Sequence, residues 1–148
     1  SVGSDSVPES SLPQLSPSPE RALVADKAGR FLSQYQIKGT LGSGGIASVR
    51  TAWHYESQRA FAVKCMRTDI VYESGSEHEA GLMARLRHPN ILRLFECYED
   101  VQRTYLVLEL CEGGNLMGML SVEEPCTERA AAIVMRQLLG GVAHMHER

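Results

Sequence analysis

Several features that would restrict the function of a protein are missing from this sequence of 148 residues. No apolar run approaches the roughly 20 residues that a membrane-spanning helix needs, so we expect no membrane segment. The formal net charge is −3, with 15 Lys and Arg against 18 Asp and Glu, and this balance does not favour nucleic acid as a partner. No signal peptide is visible, although the chain starts at Ser1 rather than at Met.

The four cysteines form no Cys-x-x-Cys pair. Cys65, Cys97, Cys111 and Cys126 each lie within or beside an apolar run. Four thiols could in principle pair as disulfides, but this context is typical of reduced cysteines. We therefore expect a cytoplasmic protein and no metal site on these residues.

The composition is that of a globular protein of about one domain, with 43% hydrophobic and 22% charged residues. Residues 1–19 differ, because they are rich in Ser and Pro and have no hydrophobic periodicity. This composition predicts a disordered tail. Its serines are candidate phosphorylation sites, although most serines in such tails are solvated spacers. Residues 20–34 are predicted to be a lead-in segment with a short helix.

The most informative stretch is 41–64, in which a glycine-dense turn joins two predicted strands and the next strand ends in Lys64. Gly42, Gly44 and Gly45 allow the backbone to turn tightly and to approach a ligand. Successive backbone N–H groups in such a turn form an anion-binding concavity, so the stretch suits a polyphosphate. An ordinary hairpin turn is the alternative. A Walker loop is not indicated, because no G-K-[ST] follows the glycines.

Periodicity in the remaining sequence predicts the other elements. Strands are predicted over 35–41, 49–53, 61–66, 91–98 and 104–110, and helices over 77–86, 115–120 and from 128 to the end. Thr127 is the predicted N-cap of the last helix. That helix has an apolar stripe made of Ala131, Val134, Leu138, Val142 and Met145. Further apolar residues lie off the stripe, so we expect burial within a larger domain.

The glycine turn and the lysine strand resemble those of eukaryotic protein kinases. The kinase pattern G-x-G-x-x-G-x-V is matched by Gly42, Gly44 and Val49, and A-x-K is matched by Ala62 and Lys64. The resemblance continues in the family's order, with a helix glutamate, H-P-N-I over 88–91 and L-E-L-C-E-G-G over 108–114. It departs at two positions of the loop, where Ala47 replaces the third glycine and Ile46 replaces an aromatic tip residue.

The resemblance implies an α+β fold. It predicts a kinase-like small lobe, made of a five-stranded antiparallel sheet and one main helix, followed by the first helices of the large lobe. The small lobe would cover residues 35–110, and residues 111–148 would form the hinge and those first helices.

The resemblance also implies the site. Lys64 corresponds to the lysine that contacts the α- and β-phosphates, and Glu79 to the helix glutamate that pairs with it. Glu77 is the nearest rival, and a solvent-facing charge is the ordinary alternative for either. The residues assigned to nucleotide binding are Leu41, Gly42, Ser43, Gly44, Gly45, Val49, Ala62, Lys64, Leu108, Glu109, Cys111, Asn115 and Leu116.

These residues have different implied roles. Adenine would lie between the side chains of Leu41, Val49, Ala62 and Leu116, next to a gatekeeper at Leu108. The backbones of Glu109 and Cys111 would bond to the ring, and Asn115 stands where kinases often carry an acidic ribose contact.

The kinase motifs H-R-D-x-x-x-x-N and D-F-G do not occur in the sequence. We therefore expect a truncated part of a kinase that binds ATP but does not transfer phosphate alone, and whose Mg²⁺ ligands lie elsewhere. The expected partners are ATP, protein substrates and a protein surface that covers the last helix. The alternative function is a non-catalytic, kinase-like binding or regulatory module.

Within the family, the runs 88–94, 105–116 and 134–146 look most like the calcium/calmodulin-dependent group, in particular the calcium-dependent kinases of plants and protists. The expectation of a serine/threonine rather than a tyrosine kinase depends on this resemblance. No calcium-binding EF-hand loop is present in the sequence.

Overall fold

The fold is built on one antiparallel sheet. The computed structural model describes residues 30–67, 69, 76–119 and 126–147, so the predictions for residues 1–29 lie outside it. The strands are β1 (Tyr35–Ser43), β2 (Ala47–His54), β3 (Arg59–Arg67), β4 (Leu94–Glu99) and β5 (Arg103–Leu108). Their order is β1-β2-β3-β5-β4, and every neighbouring pair is antiparallel. The predicted five-stranded α+β fold is confirmed.

Four helices are described with the sheet: α1 (Arg30–Gln34), α2 (Ser76–Arg85), α3 (Leu116–Met119) and α4 (Glu128–His146). The predicted cap of α4 is confirmed, because the Thr127 hydroxyl accepts a 3.2 Å hydrogen bond from the Ala130 N–H. Glu128 adds a carboxylate in the first turn, where the helix dipole favours negative charge.

Some predicted boundaries are wrong, and local hydrogen bonds explain the differences. Strand β4 begins at Leu94 rather than at residue 91. The preceding residues form a turn, in which the Ile91 N–H donates to the His88 carbonyl and the Asn90 N–H donates to the His88 ring. Strands β2 and β3 are longer than predicted, because their connection is confined to residues 55–58, with Gln58 at a φ of 53°.

The two faces of the sheet carry separate apolar clusters. The outer face carries Tyr35, Ala52, Phe61, Val63, Cys65, Tyr105 and Val107. The inner face carries Ala62, Met66, Leu94, Leu106 and Leu108. Because successive residues of a strand point to opposite faces, Val63 and Cys65 face outward while Lys64 between them faces inward.

Helix α1 covers the outer face. The Phe31 ring stacks on Tyr105 with 4.4 Å between ring centroids, and on Tyr35 with 5.2 Å. The Gln34 carbonyl accepts a 2.9 Å hydrogen bond from the Tyr55 N–H. The helix therefore runs from the middle of the sheet towards the β2–β3 turn.

A polar network fixes the end of α1. The Tyr35 hydroxyl donates to the Glu96 carboxylate at 2.6 Å, and the Tyr98 hydroxyl lies 2.8 Å from the same oxygen. Tyr98 also bonds to the Gln34 side chain. Burial and the neighbouring carboxylate raise the pKa of Tyr35, so its hydroxyl stays protonated as a donor at neutral pH.

Helix α2 packs on the inner face. Ala80 is buried in the inner cluster, and Met83 and Ala84 pack against it from the same helix. Their spacing of three and four residues is that of one helical face. This contact holds α2 on the inner face of the sheet, where it packs mainly against β4.

Replacing Phe31 with Ala should lower the free energy of unfolding by about 3 to 5 kcal/mol, because a buried ring that stacks on two others would be lost. Urea denaturation followed by circular dichroism measures this loss. The control is Leu32→Ala in the same helix, where the side chain is 59% exposed and little change is expected. Equal effects of the two substitutions would contradict the role of Phe31.

Candidate functional site

The glycine-rich turn joins β1 to β2 at one end of the sheet. Gly42 lies opposite Val49 and Ser43 opposite Ser48, so strand pairing continues almost to the turn. The turn is closed by a 2.8 Å hydrogen bond from the Gly44 N–H to the Ala47 carbonyl. Residues 41–46 are exposed, which leaves this backbone open to a ligand.

The glycines of the turn are not required by the protein's own packing. A Cβ at Gly42 or Gly45 would meet no atom within 4 Å, and at Gly44 it would lie at an ordinary 3.7 Å from the Ala47 carbonyl. None of the three has a positive φ, whereas Gly114 has a φ of 74° and needs to be glycine for conformational reasons. The packing and the backbone angles of the turn would therefore accept a larger residue at Gly42 or Gly45.

The strand register brings the predicted strand residues together on the inner face. Lys64 lies between Val49 of β2 and Leu106 of β5, directly opposite both. Two residues along the strand, Ala62 lies opposite Leu108. Lys64 is half-buried, while Ala62 and Leu108 are buried. The result is a cation beside a small apolar surface, next to the open backbone of the turn.

The segment after β5 carries the remaining predicted residues, and most of it is exposed. The Glu109 N–H donates a 2.9 Å hydrogen bond to the Arg93 carbonyl, which ties the end of β5 to the start of β4. Asn115 acts as a cap of α3, because its side-chain oxygen accepts a 2.7 Å hydrogen bond from the Gly118 N–H. Asn115 therefore has a structural role as a helix cap, which the sequence did not predict.

Two of the residues predicted to contact adenine are exposed. Leu41 is 55% exposed in β1 and Leu116 is 42% exposed in α3. Large apolar side chains in this state leave surface that a flat apolar ligand could remove from water. The side chains of Glu77 and Glu79, by contrast, lie outside the described residues, and so does the predicted ion pair with Lys64.

All four cysteines are free thiols, as expected from the sequence. Burial raises the pKa of Cys97 to about 11 and raises that of Cys65 as well. Cys111, at the predicted hinge, and Cys126, before α4, are exposed. Solvent-exposed thiols are available to reagents, whereas Cys65 is buried, Cys97 is half-buried, and the raised pKa of each disfavours the reactive thiolate.

Within the described part of the chain, no group of three His, Cys, Asp or Glu residues is placed to hold a metal ion. Likewise, none of the described helices has the length and apolar character to cross a membrane.

Three arginines share the outer face of the sheet, and the sequence alone does not predict that they lie together. Arg50 lies opposite Val63 and Arg67 lies opposite Arg103, so all three arginine side chains belong to the face that carries Cys65. They come from three different strands and are 17 or more residues apart in the chain. The alternation of each strand contains this signal, but only the strand pairing shows that the three lie on one surface.

Comparison with known proteins supports one family. Residues 35–148 match the family described as "Protein kinase domain". The chain is 33% identical over 135 residues to Serine/threonine-protein kinase H1 of Homo sapiens, covering 86% of the chain and 31% of that protein. It is 31% identical over 124 residues to Serine/threonine-protein kinase PLK4 of Drosophila virilis, covering 80% of the chain and 16% of that protein. The chain thus spans about a third or less of the length of these relatives.

Gly42→Ala should leave the free energy of unfolding within about 0.5 kcal/mol of the original, because its Cβ meets open space and its φ is not strained. Gly114→Ala also meets open space, but its positive φ should cost about 1 to 2 kcal/mol. Denaturant titration of both variants compares the two costs. A loss at Gly42 as large as that at Gly114 would show that the turn itself needs the glycine.

Proposed function

The chain belongs to the protein kinase family, and from this membership we propose that residues 35–148 form the ATP-binding part of a serine/threonine protein kinase. The proposed activity of the whole protein is transfer of the γ-phosphoryl group of ATP to a serine or threonine hydroxyl of a protein substrate. Both relatives described above carry serine/threonine kinase in their names, and for this reason the non-catalytic module is not favoured.

One observation carries the proposal: the inner face places Lys64 beside the small apolar surface of Ala62 and Leu108, next to the glycine turn. ATP has the matching chemistry, with a flat apolar ring at one end and a polyphosphate at the other. The buried Ala62 leaves room for the ring, which a larger side chain would fill. The turn offers backbone N–H groups to the phosphates, and no side chain between Gly42 and Gly45 extends beyond that of Ser43.

We propose that Lys64 is held towards the phosphates by an ion pair with Glu79. Support comes from the packing of α2, since Ala80 and Met83 contact the inner cluster on the face where Lys64 lies. Residue 79 is one helical turn before Met83, a spacing that places both on one side of the helix. A paired lysine keeps a defined direction, whereas a free one would sample many rotamers.

The remaining contacts are proposed for the segment after β5. The Glu109 carbonyl and the Cys111 N–H would bond to the edge of adenine, and Leu41 and Leu116 would cover its faces. Asn115 would lie near the ribose, in addition to capping α3. When bound, Mg²⁺ neutralises charge on the β- and γ-phosphates, and we propose that its ligands belong to the H-R-D and D-F-G motifs, which this sequence does not contain.

Three finer assignments are also proposals. The runs 88–94, 105–116 and 134–146 favour the calcium/calmodulin-dependent group within the family. The four free thiols favour a cytoplasmic location. Helix α4 exposes Ile133, Met135, Leu138, Leu139, Val142 and Met145, and we propose that this apolar face packs against further protein.

Saturating ATP should slow alkylation of Cys111 severalfold, because the proposed adenine contact covers the backbone of this residue. Cys126 is an internal control, since it is equally classed as exposed but lies outside the proposed site. Mass spectrometry of partly alkylated protein gives the rate at each thiol separately. An alkylation rate at Cys111 that ATP leaves unchanged would contradict the proposed position of adenine. An equal decrease of the rate at Cys126 would contradict it as well.

In a protein that contains these residues together with the H-R-D and D-F-G motifs, Lys64→Met should lower kcat/KM by about a hundredfold or more, through lost phosphate positioning. Lys38→Met, at an exposed position of β1, is the matched control and should change kcat/KM little.

The 148-residue chain should show no transfer from radiolabelled ATP. Transfer by this chain that is abolished by Lys64→Met would contradict the need for the other motifs.

A further inference from the structure

The outer face near the glycine turn has a positively charged surface that the proposed nucleotide site does not use. Arg50, Arg67 and Arg103 lie on this face, on β2, β3 and β5 respectively. A depression of about 250 Å³ is lined by Arg67 and Arg103 together with Gly44, Ile46, Ser48 and other residues at the end of the sheet. We call the three arginines and this depression the arginine surface.

Two of the three arginines act on Cys65. Burial raises the pKa of this thiol, and the charges of Arg50 and Arg103 oppose that rise because they favour the thiolate. Among the described residues, Arg50 also has a buried Nε with no hydrogen-bond partner. A buried N–H donor on a permanent cation is a costly feature unless an anion or water meets it.

Among the described residues, the carboxylates of Asp69 and Asp100 lie beside the arginines and partly neutralise their charge. Asp69 accepts from Arg67 through both carboxylate oxygens, at 3.1 and 2.5 Å, in a pair whose side chains are 71% and 56% exposed. Asp100 accepts from the backbone N–H groups of Gln102 and Arg103, both at 2.7 Å, and so holds the β4–β5 turn. Within the described ranges, the carboxylates of Asp69 and Asp100 thus lie beside the three guanidinium groups, and that of Asp100 is committed to the turn.

We propose that the arginine surface binds a phosphoserine of the chain's own N-terminal tail, at Ser16 or Ser18. A phosphoserine carries close to two negative charges and three acceptor oxygens, and arginine matches this group through bidentate hydrogen bonds. It can therefore displace an exposed aspartate from Arg67, because the exposed pair itself contributes little stability. This proposal is independent of the nucleotide site.

The sequence of the tail favours it as the occupant. Residues 1–19 contain seven serines, two carboxylates at Asp5 and Glu9, and no Lys or Arg, so the tail is complementary in charge even before phosphorylation. Phosphorylation would transfer a phosphoryl group from ATP to the serine Oγ, releasing ADP and the hydroxyl proton. Ser16 and Ser18 are the tail serines nearest in sequence to Arg30, where the described part of the chain begins.

The described chain begins on the face that carries the arginines. Phe31 stacks on Tyr105, which lies opposite Cys65 and only two residues from Arg103 on β5. Two residues along a strand span about 7 Å. Ser18 is 12 residues from Arg30 (30 − 18), and 12 residues can span up to about 40 Å. Either serine can therefore reach the arginines, and a tail bound there would lie against Gly44 and Ile46 of the turn.

The test is ³¹P NMR of the full 148-residue chain with phosphoserine incorporated at position 16 or, in a second protein, at position 18. The second pKa of a free phosphoserine is about 6, and nearby guanidinium groups lower it. We expect at least one protein to titrate about half a unit or more below a synthetic peptide of residues 1–19 with the same phosphoserine. The difference should shrink as salt is raised from 0.05 to 0.5 M.

Variants and controls identify the site and the occupant. Arg103→Gln and Arg67→Gln should each remove most of the shift, whereas Arg59→Gln, at an exposed position at the other end of β3, should preserve it. The proposal is overturned if the phosphoserine pKa of neither protein differs from that of the peptide. It is equally overturned if Arg59→Gln removes as much of the shift as Arg103→Gln or Arg67→Gln. A shift that depends on protein concentration would also overturn the proposal, because it indicates binding of the tail of a second copy. So would a shift that inorganic phosphate abolishes at equal concentration, because that result indicates a general anion site.

Discussion

Aromatic stacking of Phe31 on Tyr105 and Tyr35 fixes the outer face of the sheet, and the candidate site on the inner face depends on it. Strand alternation couples the two faces residue by residue. While Val63 and Cys65 remain in the outer cluster, Lys64 must point inward. A slip of one residue in β3 would move the lysine to the outer face and bury its neighbours on the wrong side. The aromatic cluster therefore maintains the geometry of a site that it does not touch.

Local sequence patterns predicted much of this arrangement. Alternation located all five strands, and the Ser/Thr-type cap at Thr127 marked the beginning of α4 correctly. The inner-face neighbours of Lys64 followed from the family motifs, and the strand register places them together. The start of β4 could not be predicted, because it depends on a turn closed by the ring and carbonyl of His88. The positions of Phe31 and the three arginines depend on contacts between distant segments, which no local window contains.

The glycines illustrate how the same residue type answers different physical requirements. Gly114 accommodates a left-handed backbone after β5. Gly141 allows close packing, because a Cβ added to this glycine would lie only 3.2 Å from the Asn90 carbonyl oxygen. The glycines at 42 and 45 satisfy neither need within the protein. The sequence pattern alone does not separate the conformational requirement from the ligand-related one, whereas the backbone angles and the space around each glycine do.

The strand order has a consequence for how the molecule folds. Strands β1, β2 and β3 are joined by short turns, and so are β4 and β5, so these two units contain mostly local contacts. Their junction is the β3–β5 pairing, in which Ala62 meets Leu108 across 46 positions of the chain (108 − 62). Closing so long a loop is entropically slower than forming a hairpin. Lys64 meets Leu106 only in this pairing, so the inner-face site is complete only when the two units have joined, and neither unit contains it alone.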